Sequence, residues 1–176
     1  MSVSPQLRQQ LLETIPKLRG FAMSLCGNSA RADDLVQETL TKAWANFSSF
    51  QEGTNLRAWL FTILRNEFYS QMRKAVREVE DADGEYAGRL VSAAAQEGHI
   101  ELEDLKTALA KLPDAQREAI ILVGASGLSY EEAAEICGTA VGTIKSRVSR
   151  ARTRLLQLMG EGETSAAGPG ATSHVA

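Results

Sequence analysis

A chain of 176 residues has room for one domain or two small ones. Its 44% hydrophobic and 23% charged residues suit a soluble globular protein, and the net charge of −3 gives by itself no sign of nucleic-acid binding. The opening Met1-Ser2-Val3-Ser4-Pro5 lacks a secretory signal's basic flank and apolar core, and no apolar run reaches the roughly 20 residues a bilayer requires. The expectation is a cytoplasmic protein with no membrane attachment. Cys26 and Cys137 stand far apart in no metal or redox spacing and read as reduced core thiols near helix ends.

Strand signals are almost absent, and helical periodicity is strong. Ile15, Leu18, Phe21, Ala22 and Leu25 mark a helix from about Pro16 to Cys26, closed by Gly27-Asn28. From Leu35 to Phe47, Val36, Leu40, Ala43, Trp44 and Phe47 form one apolar face. Gln51–Thr54 breaks the chain before Leu56, Trp59, Leu60, Ile63 and Leu64 repeat the pattern. Trp44 and Trp59 both lie on apolar stripes and read as core. Residues 6–77 thus form one all-helical domain.

Glu78–Asp104 has another character. Nine acids face one base, Arg89, so this stretch carries −8 and leaves +5 on the rest of the chain. Such composition predicts a flexible, solvated acidic linker over residues 78–100. A second domain follows at 101–159. Leu102, Leu105, Leu109 and Leu112 mark a helix ended by Pro113. Asp114 can cap the next helix, which carries Ala119, Ile120, Leu122 and Val123 towards Gly124–Gly127. Ser129-Tyr130-Glu131-Glu132 has the form of a capping box, and that helix stops at Gly138. A last helix runs from Ala140 to about Met159. Residues 160–176, rich in Gly, Ala, Ser and Thr, read as a disordered tail.

Two helices joined by a short Gly turn make a helix-turn-helix. In the second, Lys145, Arg147, Arg150, Arg152 and Arg154 crowd together, and no acid occurs between Glu135 and Glu161. Ile144, Val148, Ala151, Leu155 and Leu158 form the stripe that packs this helix inward. Lys145, Ser146, Arg147, Ser149 and Arg150 then point outward, where Arg can pair bidentately with guanine and Ser or Lys can reach base edges or phosphates. Small residues at the helix start, among them Gly142 and Thr143, let its amides approach a phosphate. A solvated basic face is the plainer reading of such a helix, but the capping box, Gly turn and acid-free basic helix together point to DNA.

Leu128–Ala134 followed by Val141-Gly142-Thr143-Ile144-Lys145-Ser146-Arg147 closely resembles region 4 of sigma factors. Ala32–Thr39 resembles region 2.2, and Asn55–Asn66 resembles regions 2.3 and 2.4. The layout, without region 1.1 or region 3, is that of the extracytoplasmic-function (ECF) sigma factors. Ile15–Ala22, Ala32–Glu38 and Gly53–Asn66 are similar to the EcfG group, which governs the alphaproteobacterial general stress response.

The resemblance implies an all-α protein of two small helical domains, region 2 and region 4, joined by the acidic linker. It implies a factor that takes core RNA polymerase, through its β′ and β subunits, to promoter DNA. It further implies control by a small anti-sigma protein resembling NepR, drawn away by PhyR, a response regulator with a sigma-like domain. Asp34, Gln37, Glu38 and Thr41, opposite the apolar stripe of their helix, become the polymerase-docking residues. Phe50, Gln51, Thr54, Asn55, Arg65, Asn66, Phe68, Tyr69, Gln71, Arg73 and Lys74 become −10 contacts, since promoter opening needs a pocket for a flipped base and surfaces on which bases stack. Thr143, Lys145, Ser146, Arg147, Ser149, Arg150 and Arg152 become −35 contacts, favouring a GGAAC-like element. Ser149 departs from the bulkier residue many members carry there.

Two alternatives compete. A sigma mimic would bind an anti-sigma factor without DNA, but it has no need of the basic helix or of Asn66. An ordinary repressor or activator would leave the first domain unexplained. His99 and His174 lie away from any nucleophile, and no phosphate loop or metal spacing occurs, so neither an enzyme nor a cofactor or metal is expected.

Overall fold

The computed structural model describes residues 4–51, 53–81 and 100–166, with side chains placed through 78 and again from 102 to 160. The described residues form seven α-helices: α1 (Pro5–Cys26), α2 (Ser29–Ala45), α3 (Leu56–Asp81), α4 (Ile100–Ala110), α5 (Asp114–Ile120), α6 (Tyr130–Cys137) and α7 (Val141–Ala166). Residues 82–99, most of the expected acidic linker, lie outside the described residues, as do 167–176 of the expected tail.

Helices α1, α2 and α3 pack as a three-helix unit around Leu18, Phe21, Leu35, Leu60, Phe61 and Leu64, all at most 1% exposed. The Phe21 and Phe61 rings meet at 5.4 Å, tilted by 37°, where α1 crosses α3. Helix α1 starts at Pro5, well before the expected Pro16. Ser4 caps it by accepting the Leu7 N–H at 3.3 Å, and Pro5 stands at the first turn, where its missing N–H costs nothing. Pro16 therefore sits inside the helix, and packing on α2 and α3 outweighs the hydrogen bond it removes.

On α2 the buried residues are Ala32, Leu35, Val36, Thr39 and Ala43, with the Thr39 hydroxyl donating to the Leu35 carbonyl at 2.7 Å. Trp44 is not core: it is 67% exposed and meets only the edge of the aromatic cluster, its ring 6.5 Å from Phe47. One helical step beyond Ala43 carries it about 100° away from the small-residue stripe that faces α3. Trp59 is half-buried, 5.1 Å from the Phe50 ring.

The second unit gathers α4–α7 around Leu112, Ala119, Leu122, Leu128, Ile136, Ile144, Val148 and Ala151. On α4 the core is reached by Ala108, and by Leu112 just beyond its end, whereas Leu102 is 50% exposed. Asp114 does not cap α5: Pro113 is the cap residue, and the Asp114 carboxylate instead takes the Arg117 guanidinium at 2.6 Å. Past Ile120 the helix continues as a π turn, Ile121–Ala125, in which the Ser126 N–H reaches the Ile121 carbonyl at 2.8 Å. The widened turn takes in Gly124, and the chain bends at Gly127, whose φ is 68°. Helix α7 likewise runs through Gly160 to Ala166, past the expected end near Met159.

The two units touch. Helix α3 packs on α6, and α1 on α5 and the π turn, so buried residues of both units form one continuous apolar cluster. Replacing Phe61 by Ala should cost about 3–5 kcal/mol, read as a lowered urea midpoint in equilibrium unfolding followed by far-UV circular dichroism.

Candidate nucleic-acid interface

The helix-turn-helix is set by local hydrogen bonds. Ser129 Oγ accepts the Glu132 N–H at 3.0 Å while Glu132 accepts the Ser129 N–H at 2.6 Å, which completes the expected capping box at the start of α6. At the other end Gly138 takes φ 61°, a left-handed conformation that a side chain would strain, and the Thr139 N–H returns to the Ala134 carbonyl at 3.0 Å. The chain then enters α7 within three residues.

Ile144, Val148 and Ala151 are buried, and Leu155 and Leu158 half-buried, so the inward stripe of α7 is as expected. On the opposite face Lys145, Ser146, Ser149, Arg150 and Arg152 are exposed, with Thr143 and Arg147 half-buried at the sides. Lys145 lies 5.8 Å above the Tyr130 ring, a contact that holds its ammonium beside the start of α6. This face concentrates positive charge on a rigid helix of a width that fits a DNA major groove.

In the first unit Asp34, Gln37, Glu38 and Thr41 are exposed together on one face of α2. Asp33, their neighbour, is taken up by Arg19 of α1 at 2.6 Å, and that hydrogen bond holds its carboxyl below the usual range. Trp44, one turn beyond Thr41, lies exposed near the same face.

The expected −10 residues divide into three groups. Asn66, Arg73 and Lys74 are exposed on α3, and Gln51 and Thr54 are exposed in the loop before it. Phe50 does not reach the surface: it is 8% exposed and packs among Phe47 and Trp59 at 5.8 and 5.1 Å. It braces the loop from inside. Phe68 and Tyr69 are half-buried, ring edge to face at 5.2 Å, and Gln71 donates to Glu67 at 2.8 Å.

Asn55 and Arg65 have partners in the second unit. Asn55 caps α3 by accepting the Ala58 N–H at 3.1 Å, and its amide donates to Glu132. Arg65 grips Glu118 with two bonds, 2.7 and 3.4 Å, while its guanidinium lies 4.7 Å over the Tyr69 ring. Burial works against the charge on Arg65, but the hydrogen bond and attraction of Glu118 outweigh it and raise its pKa. The Cys137 thiol at the end of α6 is half-buried, and burial, helped by the charge of Glu118, pushes it up to about 11.

A cleft of about 450 Å³ opens between the end of α2, the 3-10 turn Phe47–Ser49 and α3. Asn46, Ser49, Trp59, Asn66 and Arg73 line it together with Lys42 and Glu67, which form an ion pair. Sequence reasoning missed Glu67, Lys42 and Glu118. Glu118 did leave a signal, an acid at i−4 from Leu122 on an otherwise apolar stripe. Burial pushes the Glu67 pKa up, but hydrogen bonds from Lys42 and Gln71 and the Lys42 charge prevail and hold it below the usual value.

The family model for sigma-70 region 2 matches residues 11–78, and that for sigma-70 region 4 matches 102–155. The chain is 62% identical over 159 residues to the ECF RNA polymerase sigma factor EcfG of Rhodopseudomonas palustris, covering 90% of this chain and 88% of that one. The chain is an ECF sigma factor of the sigma-70 family.

As such it directs core RNA polymerase to specific promoters and initiates transcription. The fold is similar to that of the Bartonella quintana sigma factor RpoE, solved in complex with the anti-sigma factor NepR. That match has a TM-score of 0.77 and 58% identity over 89% of this chain and 98% of that one. The PhyRSL–NepR complex from Sphingomonas sp. Fr1 matches with a TM-score of 0.61 over 99% of both chains, but at 23% identity it shares the fold alone. The sigma-factor reading therefore stands over the mimic. Among the described residues no helix is long and apolar enough to cross a membrane.

Since the folded pKa of Glu67 is depressed, its contribution to stability is present above the ordinary glutamate pKa of about 4.3 and is lost as pH falls through the lower folded value. Urea midpoints of the wild type should therefore drop more between pH 6 and strongly acid conditions than those of Glu67→Gln, roughly in that window. The difference will be small, because Lys42 is 46% exposed and water screens the pair.

Proposed function

We propose that this sigma factor serves a general stress response, acts in the cytoplasm, and divides its work between the two units. The first docks on polymerase through Asp34, Gln37, Glu38 and Thr41 and captures the melted −10 strand with Asn55, Arg65, Asn66, Tyr69, Arg73 and Lys74. The second places α7 in the −35 major groove, with Lys145, Ser146, Arg147, Ser149, Arg150 and Arg152 facing the bases and phosphates. One observation carries the reading: exposed Lys145, Ser146, Ser149 and Arg150 lie opposite buried Ile144, Val148 and Ala151. The stress-response assignment rests on the 62% identity to EcfG. The NepR partner of the similar Bartonella factor supports a small anti-sigma protein as the inhibitor of this one.

The deciding experiment adds the purified chain to sigma-free core polymerase on two templates, one with a GGAAC-like −35 element and one with that element scrambled. Initiation is expected on the first only; equal initiation on both would remove the assigned specificity. With the same template, Arg150→Ala should weaken promoter binding by about 1–3 kcal/mol in a footprint titration if the guanidinium reads a base. Binding by the isolated chain should also fall steeply as salt rises, because phosphate contacts release counterions.

A further inference from the structure

We propose that the free chain is held shut by a latch between its two units, in which Glu118 and Glu132 of the second occupy residues that the first needs for the −10 strand. This inference rests on the assignment of Asn55 and Arg65 to that strand.

The latch has two points. At one, Arg65 is bound by both oxygens of Glu118, whose side chain is only 2% exposed. A bidentate Arg–carboxylate pair uses the fork that would otherwise take a phosphate or stack on a base. At the other, Glu132 receives the Asn55 amide and sits 3.9 Å from Arg57, while Arg57 also donates to the Gly127 carbonyl at 3.1 Å. Glu132 is held by the capping box before it meets the first unit, and Glu118 is carried by α5, whose neighbouring Ala119 is buried in the core. A carboxylate preset in this way, as Glu132 is, costs little further ordering when it engages Asn55 and Arg57, so the contact is favourable in a way that a mobile surface pair is not.

The consequence is competition. A strand that needs the Nε–Nη2 edge of Arg65, or the N–H that the Asn55 amide gives to Glu132, must take it from the carboxylate. Strand capture must therefore separate α3 from α5 and α6 or replace the carboxylates in place. If the latched form holds about nine-tenths of the population, apparent affinity for single strands is about tenfold weaker than that of the opened form. The coupling is reciprocal, so single-stranded DNA must also favour opening.

The test uses the full chain and a short fluorescein-labelled oligonucleotide from the non-template −10 region of the promoter above. Arg57→Ala loosens one latch point without touching an assigned DNA contact, and Glu118→Gln loosens the other with little change of shape. Both should bind the oligonucleotide several-fold more tightly than the wild type. Cys137, half-buried on α6 where that helix packs on α3, reports opening. Its reaction with a maleimide should speed up in Arg57→Ala, and in the wild type on saturation with the oligonucleotide. Faster Cys137 reaction with unchanged DNA affinity would show that the contact opens but blocks nothing, and the latch falls. Unchanged reaction and affinity in both variants would show that these pairs do not hold the units together, with the same result. Weaker binding in Arg57→Ala would make Arg57 itself a DNA contact and also overturn the latch. Arg73→Ala in parallel separates the two ideas, since unaltered binding there removes the −10 assignment rather than the latch.

Discussion

Burial of Leu60, Phe61 and Leu64 against Leu18, Phe21 and Leu35 fixes the roll of α3, and that roll sets what the rest of the molecule can do. With those three side chains pinned inward, Asn66 and Arg73 come to the cleft beside the loop, and Arg65 turns towards the second unit. A helix rotated by one residue, about 100°, would bury Arg65 or expose Phe61. The close packing of the Phe21 and Phe61 rings makes such a rotation costly. The position of every candidate −10 residue after Leu56 follows from this packing.

Charge is handled differently in the two units. On α7 the cations stand free of acids for many residues and face outward from a buried stripe, which creates a local positive field despite a net charge of −3. On α3 the charges are partly neutralised by partners from other helices: Glu118 of α5 takes Arg65, and Lys42 of α2 takes Glu67. The two surfaces that DNA would meet are therefore unequal in the free chain. The proposed −35 face of α7 is exposed, whereas part of the proposed −10 face is engaged internally.

The loop before α3 illustrates how aromatic residues divide between support and display. Phe47, Phe50 and half-buried Trp59 pack around one another, so Phe50 holds the loop while Gln51 and Thr54 remain at its surface. Trp44 does the reverse, lying open beyond the cluster near the face that carries Asp34, Gln37, Glu38 and Thr41. Hydrophobic type alone does not separate these cases, because a half-turn of helix or a single loop residue moves an aromatic side chain from core to solvent.

The sequence by itself determined the helical class, the two units, the capping box at Ser129, the glycine stop at Gly138 and the outward basic face of α7. These features are local, set by periodicity, by hydrogen bonds within a few residues and by the φ that glycine permits. The start of α1 was less legible, because Pro16 resembles a helix start until packing on α2 and α3 carries the helix through it. The π turn after Ile120 and the exposure of Trp44 were likewise decided by neighbours. Only the tertiary structure brought Glu118 to Arg65 and Glu132 to Asn55, partners 53 and 77 residues apart. A local pattern can mark Glu118 as out of place on its stripe or Glu132 as a cap, but it cannot name the partner, which depends on which face of another unit packs against each residue.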